Sequence, residues 1–130
     1  MKKLLILAAL LFATLHAEVI NEPAGKELLA QNIPVVDIRT PGEWKETGIL
    51  KGSIPIMFFD EKGGYNVDTF MKELNAKVDT KKPFAIICRT GSRTGMLAPF
   101  LSQTFGYTVY NLQGGILYAK RAGLPTEPYK

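Results

Sequence analysis

The chain has 130 residues, of which 46% are hydrophobic and 22% are charged, a composition typical of one globular domain that buries its core without disulfides. The formal net charge is +4 at pH 7. The basic residues form no block and no run interleaved with aromatic residues, which argues against nucleic acid as a partner.

Residues 1–17 have the layout of a secretory signal peptide. Lys2 and Lys3 precede an apolar run from Leu4 to Leu15, and Ala17 is a small residue suited to cleavage. The run is shorter than the ~20 residues that a bilayer span requires, and it lacks the polar face of an amphipathic helix. We therefore predict a signal peptide at 1–17, one domain at 18–130 and a periplasmic location. The alternative is a retained membrane anchor, in which case this segment would be the protein's only contact with the membrane.

After this segment, strand and helix patterns alternate, and no internal repeat is present. Thr40 followed by Pro41 is typical of a helix start. The predicted strands are 33–38, 53–59, 84–87 and 108–112, and the predicted helices are 24–32, 40–46, 67–78, 92–104 and 114–123. The alternation predicts an α/β fold with a central, mainly parallel sheet and helices on both faces. Ligands of such sheets bind beyond the carboxyl ends of the strands.

The only cysteine, Cys88, lies at such a strand end, in the stretch FAIICRTGSRTG. The backbone amides of residues 89–94 can point inward and form a cradle for an anion or a charged sulfur. Gly91 permits a backbone conformation that a side chain would obstruct. Arg89 and Arg93 add positive charge, so the environment favours a reactive thiolate without a neighbouring base.

The only histidine, His16, lies in the predicted signal peptide. Cys88 therefore has no histidine partner in the remaining chain, which excludes a cysteine–histidine hydrolase and any usual zinc or haem site. We expect no metal and no cofactor. A single cysteine in an exported protein indicates a reactive or intermolecular thiol, and a buried inert cysteine is the alternative.

Four segments in chain order resemble the signatures of the rhodanese family. They are VVDIRTPGEW, GILKGSIPI, the loop CRTGSRT and NLQGGILYAKRAGLP, and the resemblance extends over about residues 19–128. The sequence departs from the family pattern at two positions. No histidine follows Gly48, and Ala119 lies near the position where many members carry tryptophan. Both family residues are mainly structural, so the expected fold is unchanged.

The resemblance implies a sulfurtransferase of the thiosulfate sulfurtransferase type. Cys88 would be the catalytic nucleophile, which takes the sulfane sulfur of a small anionic donor such as thiosulfate as a persulfide and passes it to a thiophilic acceptor. The substrate-binding residues implied by the loop are Arg89, Thr90, Gly91, Ser92, Arg93 and Thr94. Capping of the following helix is an equally good reading of Ser92 and Thr94.

Three alternatives remain open at this stage. The first is a persulfide carrier with little free turnover that serves a protein acceptor, and the second is a non-catalytic binding module. The third is a phosphatase or arsenate reductase, although those related enzymes have five residues between cysteine and arginine, whereas four separate Cys88 from Arg93 here.

Three further residues are interpreted as structural support. Asp37 and Arg39 lie at the end of a predicted strand and can be interpreted as an acid–base pair. We prefer a structural ion pair with Glu43 that orders the neighbouring loops. Trp44 is interpreted as a packing residue, and Tyr65 as one rim of the pocket.

Overall fold

The computed structural model describes residues 17–130. The predicted signal peptide up to His16 lies outside the described residues. The helices are α1 (Lys26–Ala30), α2 (Pro41–Thr47), α3 (Val67–Lys77), α4 (Ser92–Phe105) and α5 (Gly115–Arg121). The strands are β1 (Val19–Pro23), β2 (Val35–Asp37), β3 (Ile49–Leu50), β4 (Ile54–Pro55), β5 (Phe84–Ile87), β6 (Val109–Gln113) and β7 (Thr126–Glu127). None of the helices in the described part is long and apolar enough to cross a membrane.

Five strands form one parallel sheet in the order β1-β6-β5-β2-β4. The strand β5 is therefore central, and Val36 of β2 and Asn111 of β6 both pair with its Ile86. Two short strands, β3 and β7, form a separate antiparallel pair. The predicted α/β fold with a central parallel sheet is confirmed.

The core consists of two layers, one on each face of the sheet. Phe84 and Ile86 of β5 pack in the layer under α3 and α4. The alternating residues Ala85 and Ile87 pack in the layer under α1 and α5. Because both faces of β5 are covered, its sequence is a continuous apolar run without polar alternation. Ala119 is fully buried in the second layer, where α5 contacts the sheet.

Several elements differ from the sequence prediction. The edge strand β1 was not predicted, because its residues include Asn21 and Pro23 and lack apolar alternation. The predicted strand 53–59 is reduced to β4, although the amides of Ile56 and Phe58 continue the ladder by donating to the carbonyls of Asp37 and Ile38. The pair β3–β7 was also missed, because two-residue strands carry no readable period.

Candidate active site

Cys88 follows the central strand directly and is fully buried. The backbone N–H of Gly91 donates to its Sγ at 3.1 Å. The Thr94 Oγ1 lies 3.5 Å from the same sulfur and 3.2 Å from the Gly91 carbonyl, to which it donates. One loop amide and one hydroxyl therefore contact the thiol at the start of α4, where the helix dipole favours negative charge.

Two glycines explain why the loop can take this shape. Gly91 has a φ of +101°, and a Cβ there would lie 3.1 Å from the Gly114 nitrogen. Gly115 has a φ of +59°, and a Cβ there would collide with the carbonyl groups of Arg89 and Cys88. Because Gly115 has no side chain, α5 approaches closely. The Ile116 amide donates to the Cys88 carbonyl at 2.9 Å, and the Leu117 amide donates to the Arg89 carbonyl at 3.2 Å.

Gly114 and Gly115 lie in the closing segment NLQGGILYAKRAGLP and were not predicted as site residues. In the structure both have a positive φ, +77° for Gly114 and +59° for Gly115, which explains why glycine occupies both positions. Gly115 is the one that lets α5 hydrogen-bond to the backbone of the Cys88 loop.

Arg93 ends the loop and forms a two-pronged ion pair with Glu43. Its Nη1 and Nη2 each lie 2.7 Å from a carboxylate oxygen of Glu43. The hydrogen bonds from Arg93 lower the pKa of Glu43 from 4.5 to about 2, and the same hydrogen bonds raise the pKa of Arg93. Glu43 on α2 thus engages two of the five N–H donors of the guanidinium.

This contact changes the expected role of Glu43. The expected ion pair between Asp37 and Arg39 is present, with 2.9 Å between Arg39 Nη2 and Asp37 Oδ2, and both side chains are fully buried. Glu43 is not part of it. It is the third residue of α2, where its carboxylate accepts from Thr40 and completes a capping box, and from there it faces Arg93 on α4.

The buried pair anchors α2 to the end of β2. Asp37 Oδ1 also accepts from Trp44 Nε1 at 3.0 Å. Arg39 donates to the Thr47 hydroxyl at 2.8 Å and to the Gly48 carbonyl at 2.9 Å. These hydrogen bonds occupy both the Asp37 carboxylate and the Arg39 guanidinium, which favours the structural interpretation of the pair over the acid–base one. Trp44 is buried, as its interpretation as a packing residue requires.

The other candidate residues lie at the mouth of the loop. Arg89, Thr90 and Ser92 are exposed, whereas Thr94 is fully buried. A cavity of about 640 Å³ lies beside Arg93, and its lining includes Thr40, Glu43, Asp60 and Glu61. Among residues 17–130, no group of three or more acidic, histidine or cysteine side chains is placed to bind a metal ion.

Comparison with known proteins identifies relatives by sequence and by fold. An uncharacterised protein of Rickettsia prowazekii is 33% identical over 91 residues, which cover 68% of this chain and 72% of that protein. A solved rhodanese-related protein of Thermoplasma volcanium is 25% identical, with a TM-score of 0.62 over 86% of this chain and all of that one. A protein of unknown function and possible tyrosine phosphatase from Rhodopseudomonas palustris is 26% identical, with a TM-score of 0.51 over 78% and 75% of the two chains.

The family model for the rhodanese-like domain matches residues 20–121, a range that includes the whole parallel sheet except Val19 and also the Cys88 loop. The four resembling segments all fall in or beside that range, and the resemblance they suggested is confirmed. The chain belongs to the family of rhodanese-like domains.

Proposed function

We propose that the protein is a sulfurtransferase that carries a sulfane sulfur as a persulfide on Cys88. The observation that carries the proposal is the sulfur environment, in which the Gly91 amide donates to Sγ and the Thr94 hydroxyl lies beside it. The amide donor is fixed before reaction, which is the condition for electrostatic stabilisation of a charged sulfur.

The reaction proceeds in two displacements at sulfur. The Cys88 thiolate attacks the outer sulfur of a donor such as thiosulfate, the donor's S–S bond breaks, and sulfite leaves with the bonding electron pair. A nucleophilic acceptor then attacks the outer sulfur of the persulfide and restores the thiolate. This is covalent catalysis that needs no general base, in agreement with a site that contains no histidine among the described residues.

Thr94 is suited to both states of the sulfur. Its single hydroxyl proton is directed at the Gly91 carbonyl while its oxygen can accept from the neutral thiol. Rotation about the C–O bond turns the proton toward Sγ once the sulfur becomes negatively charged. The change requires no movement of the backbone.

A phosphatase is the alternative that the possible tyrosine phosphatase among the solved structures suggests. Two observations favour sulfur transfer. The loop has only four residues between Cys88 and Arg93, and the arginine that would hold a phosphate is paired with Glu43 through both terminal nitrogens. Fork-like arginine contacts to phosphate are the usual means of binding that group.

Intact-mass spectrometry tests the proposed chemistry. The domain is incubated with thiosulfate or polysulfide beside Cys88→Ser, and p-nitrophenyl phosphate turnover is measured in parallel. We expect a gain of one sulfur atom that cyanide removes and that the variant lacks. Phosphate release that depends on Cys88, without any sulfur gain, would overturn the proposal. Slow turnover with cyanide but rapid transfer to a protein thiol would identify the persulfide-carrier form.

The location is part of the proposal. Export by residues 1–17 places the sulfur chemistry in the periplasm, where a small anionic donor and a protein acceptor are the proposed partners. Fractionation of cells that express the full chain tests the location. The protein should be recovered in the periplasmic fraction, and its N-terminal residue should be Glu18. Recovery in the membrane fraction with an intact N-terminus would instead indicate a retained anchor.

A further inference from the structure

The ion pair between Glu43 and Arg93 has the geometry of an arginine bound to an anionic ligand. One carboxylate oxygen lies 2.7 Å from Nη1 and the other lies 2.7 Å from Nη2, so the two groups meet end to end. A phosphate, arsenate or sulfate ion presents the same kind of edge, two oxygens of one anion, to a guanidinium. Glu43 therefore occupies a position on Arg93 that an oxyanion would otherwise take.

The Glu43 carboxylate is held in this position by its own helix. Its Oε1 accepts from the Thr40 hydroxyl at 3.2 Å and from the Thr40 N–H at 3.5 Å, as part of the capping box at the start of α2. The next residue, Trp44, is anchored by its 3.0 Å hydrogen bond to Asp37. A carboxylate fixed in the same molecule acts at a far higher effective concentration than a dissolved ion, so a free oxyanion competes poorly for Arg93.

The remaining donors of Arg93 are also affected by Glu43. The ion pair leaves Nε–H and one N–H on each terminal nitrogen for other partners. An anion that used them would share one positive charge with the Glu43 carboxylate, and the two negative charges would repel each other at short range. Asp60 and Glu61 add two further carboxylates to the lining of the cavity beside Arg93. The charge around this arginine therefore disfavours a second anion.

Arg93 is close enough to the reacting sulfur for this competition to affect the chemistry. It is the second residue of α4, and only four residues separate it from Cys88. The pKa of Arg93 is raised mainly by its hydrogen bonds to Glu43, and negative charge on Cys88 contributes to the same shift. An oxyanion held on Arg93 would therefore lie near the thiolate, which is where chemistry on that oxyanion would have to take place.

We infer that Glu43 determines which substrates the site accepts, by competing with tetrahedral oxyanions for Arg93. The inference rests on the proposed function and deepens it, because a donor that gains little from Arg93 is recognised through its sulfane sulfur. The groups that meet this sulfur are the Gly91 amide and the Thr94 hydroxyl. Phosphate and arsenate have no sulfane sulfur and are thereby excluded. Glu43 acts through Arg93 and not on the reacting sulfur.

The test measures the binding of inorganic phosphate. Phosphate is titrated at constant ionic strength into the wild type and Glu43→Gln, and the amide resonance of Gly91 is followed by ¹H–¹⁵N NMR. Glu43→Gln should bind phosphate about tenfold more tightly, the order expected when one hydrogen bond of a charged group passes to the ligand. Glu61→Gln is the matched control, because it removes the same charge from the lining of the same cavity but lies outside the ion pair.

The gain in phosphate affinity must depend on Arg93. In the double variant Glu43→Gln/Arg93→Gln the affinity should fall back at least to that of the wild type, because the guanidinium that Glu43 releases is absent. A gain that persists in the double variant, or one that is equally large in Glu61→Gln, would show a general effect of charge and would overturn the inference. Equal affinity in the wild type and Glu43→Gln would overturn it as well.

Thiosulfate kinetics separate this inference from the proposed function. In single-turnover persulfide formation, Glu43→Gln should lower the thiosulfate concentration that gives half the maximal rate by about the same factor. An unchanged value would contradict the role of Glu43 in substrate choice and leave sulfur transfer intact. Tighter phosphate binding without persulfide formation from any donor would instead refute sulfur transfer and leave the competition between Glu43 and oxyanions intact.

Discussion

The ion pair between Glu43 and Arg93 yields the most quantitative prediction. Glu43→Gln removes the charge but keeps a side chain that can complete the capping box with Thr40. The pKa of Glu43 falls from 4.5 to about 2, which at 1.36 kcal/mol per unit corresponds to an upper bound of about 3 kcal/mol. The side chains of Arg93 and Glu43 remain 24% and 20% exposed, so screening reduces the expected loss to about 1–2 kcal/mol.

The pH dependence has a definite sign. A carboxyl whose pKa is lowered by folding contributes its full stability above the unfolded value of 4.5, and the contribution disappears as the pH falls toward 2. Urea unfolding of the wild type and Glu43→Gln should therefore differ by about 1–2 kcal/mol at pH 7 and by much less at pH 3.

Glu73→Gln is the control for this prediction. Its carboxylate forms an exposed pair with Lys77 at 3.8 Å, so its removal should cost at most about 0.5 kcal/mol. A loss for Glu43→Gln no larger than that of the control, or one equal at pH 7 and pH 3, would refute the reasoning.

Four further substitutions, of which Gly95→Ala is a control, test the residues around the loop. Asp37→Asn leaves the buried Arg39 without its counter-charge and should cost about 3–5 kcal/mol in urea unfolding. Gly115→Ala should destabilise the domain and slow persulfide formation, because its Cβ would meet the carbonyls beneath the loop, whereas Gly95→Ala, inside α4 with open space around it, should stabilise by about 0.5–1 kcal/mol. Thr94→Val removes the hydroxyl beside Sγ and should slow persulfide formation by roughly tenfold, the value of one hydrogen bond, in the intact-mass time course.

The parts of the fold that could be predicted from the sequence are those with a long, regular pattern. The continuous apolar run of β5 and the amphipathic period of α3 each predicted one element, and the position of Cys88 followed from the first. The edge strand β1 could not be predicted, because its stability comes from pairing with β6, including a 2.8 Å hydrogen bond between Asn111 and Asn21. Its own residues show no strand pattern.

In the site, too, local features could be predicted from the sequence and tertiary contacts could not. The loop residues follow one another in sequence, so their local roles could be inferred. The partner of Glu43 could not, because Arg93 is 50 residues away and only the tertiary fold brings α2 to α4. Arg39 is nearer in sequence and carries the same charge, but it is turned inward to Asp37 and is fully buried. Charge type alone does not distinguish these two arginines.

The contacts explain why three signatures so far apart in the chain belong to one site. The first signature supplies Glu43, which fixes Arg93 at one end of the loop. The closing signature supplies Gly115, which lets α5 donate to the carbonyls of Cys88 and Arg89 at the other end. Since both ends are held by separate helices, the Gly91 amide stays directed at the sulfur without help from substrate. A substitution in α2 or α5 that disrupts these contacts should therefore change the rate of persulfide formation on Cys88.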